Sequence, residues 1–176
     1  EYERITAADL EPYMSDGVSL VTFQVLQYRS GSLNPIKEIT ELVESYGAMI
    51  VWDASHAAGS VRLDFKENNI DLAVGCTYKY LNGGPGAPDY LYAASRHHAA
   101  CNQPLSGWFG HARPFDFERH FDPDSGIRSF VCGTQPILSL RALQAGLEIY
   151  QDVSLQQVRE KSMALTDLFI KLLKSE

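Results

Sequence analysis

Cysteine is scarce in this chain, and long apolar runs are absent. The three cysteines, Cys76, Cys101 and Cys132, are odd in number and widely spaced, with no Cys-x-x-Cys pair. This spacing excludes a disulfide framework and a cysteine metal pair, so we expect reduced, buried thiols. No apolar stretch approaches the roughly 20 residues of a membrane-spanning helix, and the start does not resemble a secretion signal. The sequence therefore predicts a cytoplasmic protein without membrane contact.

Clusters of positive charge are also missing. The chain has 15 Lys and Arg residues against 22 Asp and Glu residues, a formal net charge of -7. This balance argues against a nucleic-acid surface and favours a small-molecule partner. His97, His98, His111 and His120 lack a metal-ligand spacing, so we expect them mostly at the surface and predict no metal site.

The sequence does contain alternating strand and helix patterns, in a chain long enough for the core of one domain. Val18–Phe23 is typical of a buried strand, and an amphipathic helix follows, with Asn34 as its N-cap and Pro35 at its first position. Gly47 ends this helix, and Met49–Trp52 is the next strand. Such a unit predicts a right-handed crossover and two parallel strands.

Two later strands, Asp71–Cys76 and Asp89–Ala93, flank a glycine-rich turn. The tightness of this turn, Gly83–Gly86, predicts that the second strand runs antiparallel, which gives a mixed, mostly parallel sheet in an α/β fold. Two helices are predicted after these strands. One spans Pro136–Tyr150, and the other begins at Ser154 with a capping-box glutamine three residues later.

Polar residues near the strand ends suggest the chemistry. Ligands gather at the carboxyl ends of parallel strands, where Gln24 and Asp53 lie, and Lys79 precedes the glycine turn. A lysine can form a Schiff base with a cofactor aldehyde, and a nearby carboxylate can keep a pyridine nitrogen protonated. Lys79 and Asp53 therefore suggest pyridoxal phosphate. The alternatives are a turn-forming or helix-capping aspartate and a solvated lysine.

Three segments carry a resemblance to a known family: Asp53–His56, Tyr78–Gly86 and Gly107–His111. They resemble kynureninase, a pyridoxal-phosphate hydrolase of tryptophan catabolism with the aspartate aminotransferase fold. The first segment is shared with cysteine desulfurases, whereas the other two are more particular to kynureninases. The resemblance runs from about Val18 to Tyr150, which corresponds to the middle of such an enzyme.

The resemblance implies a three-layer α/β fold, of which this chain is a partial domain. Residues 1–150 match the C-terminal part of the pyridoxal-phosphate-binding large domain, and residues 151–176 form a helix leading toward an absent small domain. The phosphate-binding turn, the aromatic that stacks on the ring and the first strands are expected before Glu1. The arginine that holds the substrate carboxylate is expected after Glu176, so the last helix should expose an apolar face.

The implied reaction is hydrolysis of L-kynurenine, or its 3-hydroxy form, to an anthranilate and L-alanine. The kynurenine pathway to which this reaction belongs also supplies NAD biosynthesis. Lys79 is implied to hold the cofactor and act as general base, and Asp53 to keep the ring nitrogen protonated. Tyr78 is implied to bind the phosphate and shuttle a proton, and His56 to hydrogen-bond the ring hydroxyl or pack beside it.

Trp108 and Thr134 belong to an irregular stretch, Pro104–Thr134, of the kind that is either disordered or functional. The resemblance implies that both reach the neighbouring subunit's site and bind the cofactor phosphate, in a homodimer. Independently, Thr134 stands at a predicted helix N-terminus, which favours an anion. The alternatives are that Thr134 or Gln135 caps that helix and that Trp108 is a core or interface aromatic.

Two other functions stay open. Another enzyme of the same fold, such as a cysteine desulfurase or lyase, would explain Asp53, His56 and a lysine. It would not explain the Tyr78–Gly86 and Gly107–His111 segments. The other possibility is a non-catalytic truncated chain, and we do not expect the isolated 176-residue chain to be an active kynureninase.

Overall fold

Across residues 4–174, which are those that the computed structural model describes, a four-stranded sheet is flanked by helices. The strands are β1 (Leu20–Gln24), β2 (Met49–Asp53), β3 (Leu72–Gly75) and β4 (Tyr90–Ala93). The α-helices are α1 (Ala7–Leu10), α2 (Ile36–Ser45), α3 (Ser95–His98), α4 (Ile137–Glu148) and α5 (Leu155–Lys174). Short 3-10 helices span Glu11–Tyr13, Trp108–Gly110 and Ile127–Phe130. No helix in the described range is long and apolar enough to cross a membrane.

The strands lie side by side in the order β1-β2-β3-β4. The first two pairs are parallel and the last is antiparallel, so the predicted mixed, mostly parallel α/β sheet is confirmed. The register places Gln24 opposite Asp53, and Asp53 opposite Val74. The carboxyl ends of the three parallel strands therefore meet at one edge of the sheet, as the strand-helix-strand pattern predicts.

One face of the sheet packs against α2. Trp52 of β2 and Ile39 and Val43 of α2 are fully buried. The indole Nε1 of Trp52 donates a hydrogen bond to Thr40 Oγ1 at 3.0 Å, so its polar atom is satisfied inside the core. Phe23 of β1 meets Trp52 edge-on, with ring centroids 5.9 Å apart. The apolar stripe predicted for α2 is thus the stripe that holds the helix on the sheet.

The opposite face of the sheet is uncovered by the described residues. Its exposed apolar side chains are Leu20, Met49, Val74 and Leu91. Side chains alternate between faces along a strand, so Gln24 and Asp53 belong to this same face by register. Both polar residues therefore lie where an open sheet face meets the carboxyl ends of the strands.

The starts of two helices differ from prediction by one residue. Helices α2 and α4 have Pro35 and Pro136 as N-caps rather than as first helical residues. The reason is that the two prolines have ψ angles of 87° and 88°, outside the helical range. The predicted N-cap role of Asn34 is wrong, because its Nδ2 donates instead to the Gln24 carbonyl at 2.7 Å.

The start of α5 agrees with prediction. Ser154 N donates to Gln157 Oε1 at 2.9 Å, and Gln157 N donates to Ser154 Oγ at 3.3 Å, so the capping box is confirmed. As expected, several apolar side chains of α5 are exposed: Leu165, Leu168, Phe169 and Leu172. The division into 1–150 and 151–176 stays a prediction, and its outer residues, 1–3 and 175–176, lie outside the described range.

Burial differs from prediction at some cysteines and at one histidine. All three cysteines are free thiols, but Cys76 alone is buried, Cys101 is half-buried and Cys132 is exposed. His111, predicted at the surface, is buried, and its Nδ1 accepts a hydrogen bond from the Arg113 amide at 2.9 Å. Cys132 and His111 both belong to the irregular segment 104–134, where no periodic pattern reports burial.

Candidate active site

Asp53 ends β2 with its backbone held on both sides. Its carbonyl accepts from the Val25 amide at 2.9 Å, and the following amide, of Ala54, donates to the Val74 carbonyl at 2.8 Å. The carboxylate Oδ1 accepts from the Ser55 amide at 2.8 Å. Oδ2 accepts no hydrogen bond from the residues that the structure describes. The carboxylate is thus fixed and half-buried, and its Oδ2 can accept a hydrogen bond from a ligand.

An open cavity of about 440 Å³ adjoins this carboxylate. Its lining residues are Thr22, Phe23, Gln24, Gln27, Val51, Asp53 and Val74. Gln24 Oε1 is buried without a hydrogen-bond partner among the described residues. A buried acceptor without a donor costs about 1–3 kcal/mol, so a ligand that brings a donor would be stabilised here. The cavity size, the free carboxylate oxygen and the unpartnered acceptor fit a protonated pyridine ring of the kind that pyridoxal phosphate carries.

The turn after β2 carries Ser55 and His56. The amides of Ala57 and Ala58 donate to the Ala54 carbonyl at 3.0 and 2.9 Å, which makes this turn tight. The half-buried His56 ring stacks on Tyr28, with centroids 6.1 Å apart and ring planes 28° apart. Tyr28 comes from the loop after β1 and was not predicted as a site residue. The sequence carries no signal for it, because the pair depends on two loops meeting at the sheet edge.

Lys79 follows β3 and is half-buried. Its Nζ lies 5.2 Å from the centroid of the Tyr78 ring, a cation–π distance. Burial favours the neutral amine, but the Cys76 thiol and the Tyr78 hydroxyl outweigh it and raise the pKa of Lys79 above its usual value. In the cofactor-free protein Lys79 is therefore an ammonium at neutral pH.

Ser55 links the aspartate to the lysine segment. Its amide donates to Asp53 Oδ1, and its carbonyl accepts from Cys76 Sγ at 3.6 Å. Cys76 in turn is one of the groups that raise the pKa of Lys79. The structure thus brings Asp53, His56, Tyr78 and Lys79 to the same edge of the sheet, on two adjacent chain segments.

Tyr90 of β4 is a further residue beside this edge that sequence reasoning missed. Its ring lies over Gly75, where a Cβ would be 2.5 Å from the Tyr90 hydroxyl. Burial raises the pKa of Tyr90 to about 12, with smaller contributions from Cys76 and Asp53. The antiparallel register pairs Gly75 with Tyr90 and so places this ring at the carboxyl end of β3. A sequence pattern does not report that register.

Trp108 lies apart from the Asp53 cavity. It begins a 3-10 helix, packs against Phe109 and Phe115 at centroid distances of 4.3 and 5.7 Å, and is 45% exposed. It lines a second cavity, of about 340 Å³, together with Arg113 and His111. The described residues therefore leave much of the Trp108 indole free for another surface.

Thr134 is exposed and lines a third cavity, of about 580 Å³, which also includes Thr77 and Tyr90. It thus borders the same cavity as Thr77, which lies two residues before Lys79. Helix α4 has no side-chain cap, so the alternative that Thr134 or Gln135 caps it is wrong.

The segment 104–134 that contains Trp108 has two short 3-10 helices, and polar contacts hold the rest of it. Arg113 forms ion pairs with three carboxylates, those of Asp116, Glu118 and Asp122. The Asp124 amide donates to the Gly110 carbonyl at 2.8 Å. These contacts agree with the two aromatics, Trp108 and Phe109, which already favour an ordered stretch over a disordered one.

The whole chain matches one protein family. The Aminotransferase class-V model covers residues 1–176, so the chain belongs to the class-V aminotransferase family. Similar curated proteins include the kynureninases of Burkholderia pseudomallei (strain K96243) and Deinococcus radiodurans, which are 43% and 44% identical over 168 and 165 residues. These matches cover 96% and 94% of this chain but 40% of each relative. The similarity is therefore wider than the predicted 18–150, and the chain spans two fifths of the length of these relatives.

Solved structures agree with the predicted fold. A cysteine desulfurase from Escherichia coli superposes with a TM-score of 0.79 at 20% identity, over 97% of this chain and 42% of that one. An alanine–glyoxylate aminotransferase from Nostoc sp. gives 0.71 at 16% identity, over 98% and 45%. A C-DES variant with glycine covalently linked to its PLP cofactor gives 0.79 at 19% identity, over 90% and 42%. At these identities the likeness defines the fold alone, and the predicted aminotransferase fold is confirmed.

Proposed function

We propose that the protein containing this chain is a pyridoxal-phosphate-dependent hydrolase of the kynureninase type. It would cleave L-kynurenine or 3-hydroxykynurenine to the corresponding anthranilate and L-alanine. The observation that carries the proposal is the fixed Asp53 carboxylate beside an open cavity, whose Oδ2 has no hydrogen-bond partner in the described range. Ser55 links this carboxylate to the Lys79 segment. The 43–44% identity to two kynureninases supports the choice of substrate class.

The proposed roles of Lys79 and Asp53 follow from their chemistry, and those of Tyr78 and His56 come mainly from the resemblance to kynureninases. When bound, pyridoxal phosphate supplies an aldehyde that reacts with amines and a ring that accepts electron density. Asp53 Oδ2 would keep the ring nitrogen protonated, and His56 would hydrogen-bond the ring hydroxyl or pack beside it. Lys79 Nζ would hold the aldehyde and, once the substrate amine releases it, take the α-proton as general base. Tyr78 would bind the phosphate and move a proton beside Lys79.

A homodimer is the proposed assembly. Trp108 and Thr134 are the residues proposed to reach the neighbouring subunit and bind the cofactor phosphate there. The exposure of both side chains supports this, because neither is buried in the core of its own chain.

The cytoplasm is the proposed compartment, which the three free thiols support. The proposed metabolic role is NAD biosynthesis through the kynurenine pathway.

A cysteine desulfurase or lyase is the second candidate. The exposed thiol of Cys132 is the observation that favours it. The Cys132 Sγ, however, donates to the Leu105 carbonyl at 3.1 Å, within segment 104–134, and not to any residue beside Lys79. The Tyr78–Gly86 and Gly107–His111 segments favour the hydrolase. A non-catalytic role for the chain is the third candidate.

The test compares substrates on the protein that contains this chain, loaded with pyridoxal phosphate. Kynurenine, 3-hydroxykynurenine and cysteine are supplied separately, and anthranilate fluorescence and sulfide release are recorded. We expect anthranilate or its hydroxy form and no sulfide above background. Sulfide release with no anthranilate would replace the proposal by the desulfurase, and no turnover of any of the three would favour the non-catalytic role.

A further inference from the structure

Lys79 opens a tight turn whose own hydrogen bonds fix only part of its backbone. The Asn82 amide donates to the Lys79 carbonyl at 3.1 Å, and the Gly83 amide donates to the Thr77 carbonyl at 2.9 Å. These two bonds leave the carbonyls of Tyr80 and Asn82 free of partners inside the turn. Other elements can therefore donate hydrogen bonds to these two carbonyls or pack against them, and such contacts would restrict the position of Lys79. We call residues 79–82 the lysine turn.

Tyr150, just after α4, reaches the first of these carbonyls. Its hydroxyl donates to the Tyr80 carbonyl and to the Gly59 carbonyl, the latter at 3.1 Å. One phenol proton is thereby shared between the lysine turn and the turn that carries His56. The bond spans a separation of 70 residues, so no local preference of the chain produces it.

Two glycines let the backbones approach closely enough for this bond. A Cβ on Gly59 would lie 2.5 Å from the Tyr80 carbonyl oxygen, and a Cβ on Gly146 of α4 would lie 2.7 Å from the Asn82 carbonyl oxygen. Real Cβ atoms do not approach backbone atoms so closely. Helix α4, through Gly146, and the His56 turn, through Gly59, are therefore both in close backbone contact with the lysine turn.

We propose that Tyr150, together with Gly146 of α4, is a positioning residue that holds the lysine turn and so fixes where Lys79 Nζ lies. The proposal rests on the role proposed above for Lys79. Tyr150 acts through the Tyr80 peptide, since its hydroxyl bonds that carbonyl and not the amine. Loss of the hydroxyl frees the turn and lets Lys79 leave the thiol of Cys76 and the ring of Tyr78.

The first experiment removes one oxygen. Tyr150→Phe keeps the ring, and Tyr13→Phe, at a side chain that is 78% exposed, is the matched control. In the cofactor-free protein that contains this chain, the lysines are labelled with acetic anhydride across pH, with Lys37 of α2 as internal reference. We expect Lys79 of Tyr150→Phe to label about threefold to tenfold faster, the factor that one hydrogen bond is worth. Its profile should also move to lower pH, because the contacts that raise the pKa of Lys79 are lost.

A second experiment tests the contact between Gly146 of α4 and the lysine turn. With it, the proposal does not depend on the Tyr150→Phe variant alone. Gly146→Ala puts a Cβ against the lysine turn, whereas Gly17→Ala meets nothing closer than 3.7 Å. Alanine favours a helix over glycine by about 1 kcal/mol, so propensity alone predicts a tighter α4. We expect instead faster amide hydrogen exchange at Asn82 and Gly83 in Gly146→Ala and in Tyr150→Phe, with exchange in α2 unchanged.

The outcomes separate this inference from the proposed function. If Lys79 labelling and the exchange of Asn82 and Gly83 are unchanged in both variants, the positioning role is wrong. If Lys79 labelling and amide exchange both change, but borohydride reduction leaves the pyridoxyl group on another lysine, the positioning role of Tyr150 and Gly146 is kept. The assignment of Lys79 to the cofactor is then wrong.

Discussion

Asp53 combines a fixed position with an incomplete set of hydrogen bonds. The ladder of β2 fixes its backbone, and the Ser55 amide holds Oδ1. Among the described residues, Oδ2 and the Gln24 Oε1 that lines the same cavity have no hydrogen-bond partner. The bond from the Ser55 amide is the Asx-turn bond of an ordinary turn-forming aspartate, and it occupies one of the two carboxylate oxygens. Oδ1 of Asp53 makes this bond, and Oδ2 can accept a hydrogen bond from a ligand in the cavity.

Asp53→Asn tests the charge of this residue. Asparagine keeps Oδ1 for the Ser55 amide, so the free energy of unfolding should change little. Asparagine cannot keep a pyridine nitrogen protonated, so turnover of kynurenine should fall by about 100-fold or more. Steady-state kinetics and urea unfolding measure the two quantities. Turnover near that of the unaltered protein would contradict the role of the charge.

Tyr90 gives a prediction for alkaline pH. Because its folded-state pKa is raised to about 12, above the ordinary value of about 10, the folded state binds the phenol proton more tightly than the unfolded state. The stability that the neutral phenol contributes is complete below about pH 10 and is lost as pH rises toward about 12. Tyr90→Phe keeps the ring over Gly75 but has no phenol proton, so its free energy of unfolding should not fall for this reason in the same pH range.

The measurement for Tyr90 is the free energy of unfolding in urea at pH 9 and pH 11. The unaltered protein should lose more stability between these values than Tyr90→Phe, since all other titrating groups are common to both. Equal losses in the two proteins would contradict the raised pKa.

At this scale, sequence reasoning found the residues with distinctive chemistry and missed their neighbours. Lys79 and Asp53 stand out because a lysine before a glycine-rich turn and an aspartate after an apolar strand together suggest Schiff-base chemistry. Tyr28 and Tyr90 carry no such signal, since their proximity to the site depends on loop contacts and on strand register. The predicted roles of Trp108 and Thr134 stay predictions.

Among the elements, the contact between α2 and β2 positions the Asp53 end of the strand. Thr40 and Trp52 are both almost fully buried, and their side chains share one hydrogen bond. Thr40→Val keeps the shape and leaves the indole N–H without a partner, at a cost of about 1–3 kcal/mol. Thr40→Ser keeps the hydroxyl and removes one methyl, at about 0.8 kcal/mol. Thermal or urea unfolding that ranked the valine variant as the more stable would contradict this account.

The strand-helix-strand unit and the antiparallel β4 were predictable because each rests on local patterns. Apolar runs fix the strands, the helical period fixes α2, and the glycine turn reverses the chain. Helix starts were less predictable. Pro35 and Pro136 are compatible with both the N-cap and the first helical position, because the proline ring fixes φ but not the ψ angle that separates the two.

For the whole molecule, two uncovered apolar surfaces stand out: the open sheet face and the exposed side of α5. The chain also spans 40% of the length of its kynureninase relatives. We therefore expect the isolated 176-residue chain to associate or aggregate rather than to elute as a clean monomer. Size-exclusion chromatography with light scattering checks this expectation, and a stable monomer would contradict it.

The same surfaces predict that the isolated chain is a poor catalyst. The Asp53 cavity opens on the uncovered face, so a cofactor there lacks contacts on one side, and orientation is lost with those contacts. Anthranilate production by the isolated chain should stay below about one tenth of that of the protein that contains it. Comparable turnover would mean that the described residues already form a complete site.

The central claim is that Lys79 is the residue that holds pyridoxal phosphate, and one measurement tests it directly. The protein that contains this chain is incubated with pyridoxal phosphate, reduced with borohydride, digested and mapped by mass spectrometry. A pyridoxyl group on the peptide containing Lys79, absent in Lys79→Ala, is the predicted result. The same group on Lys37, Lys66 or another lysine, with Lys79 unmodified, would contradict the claim.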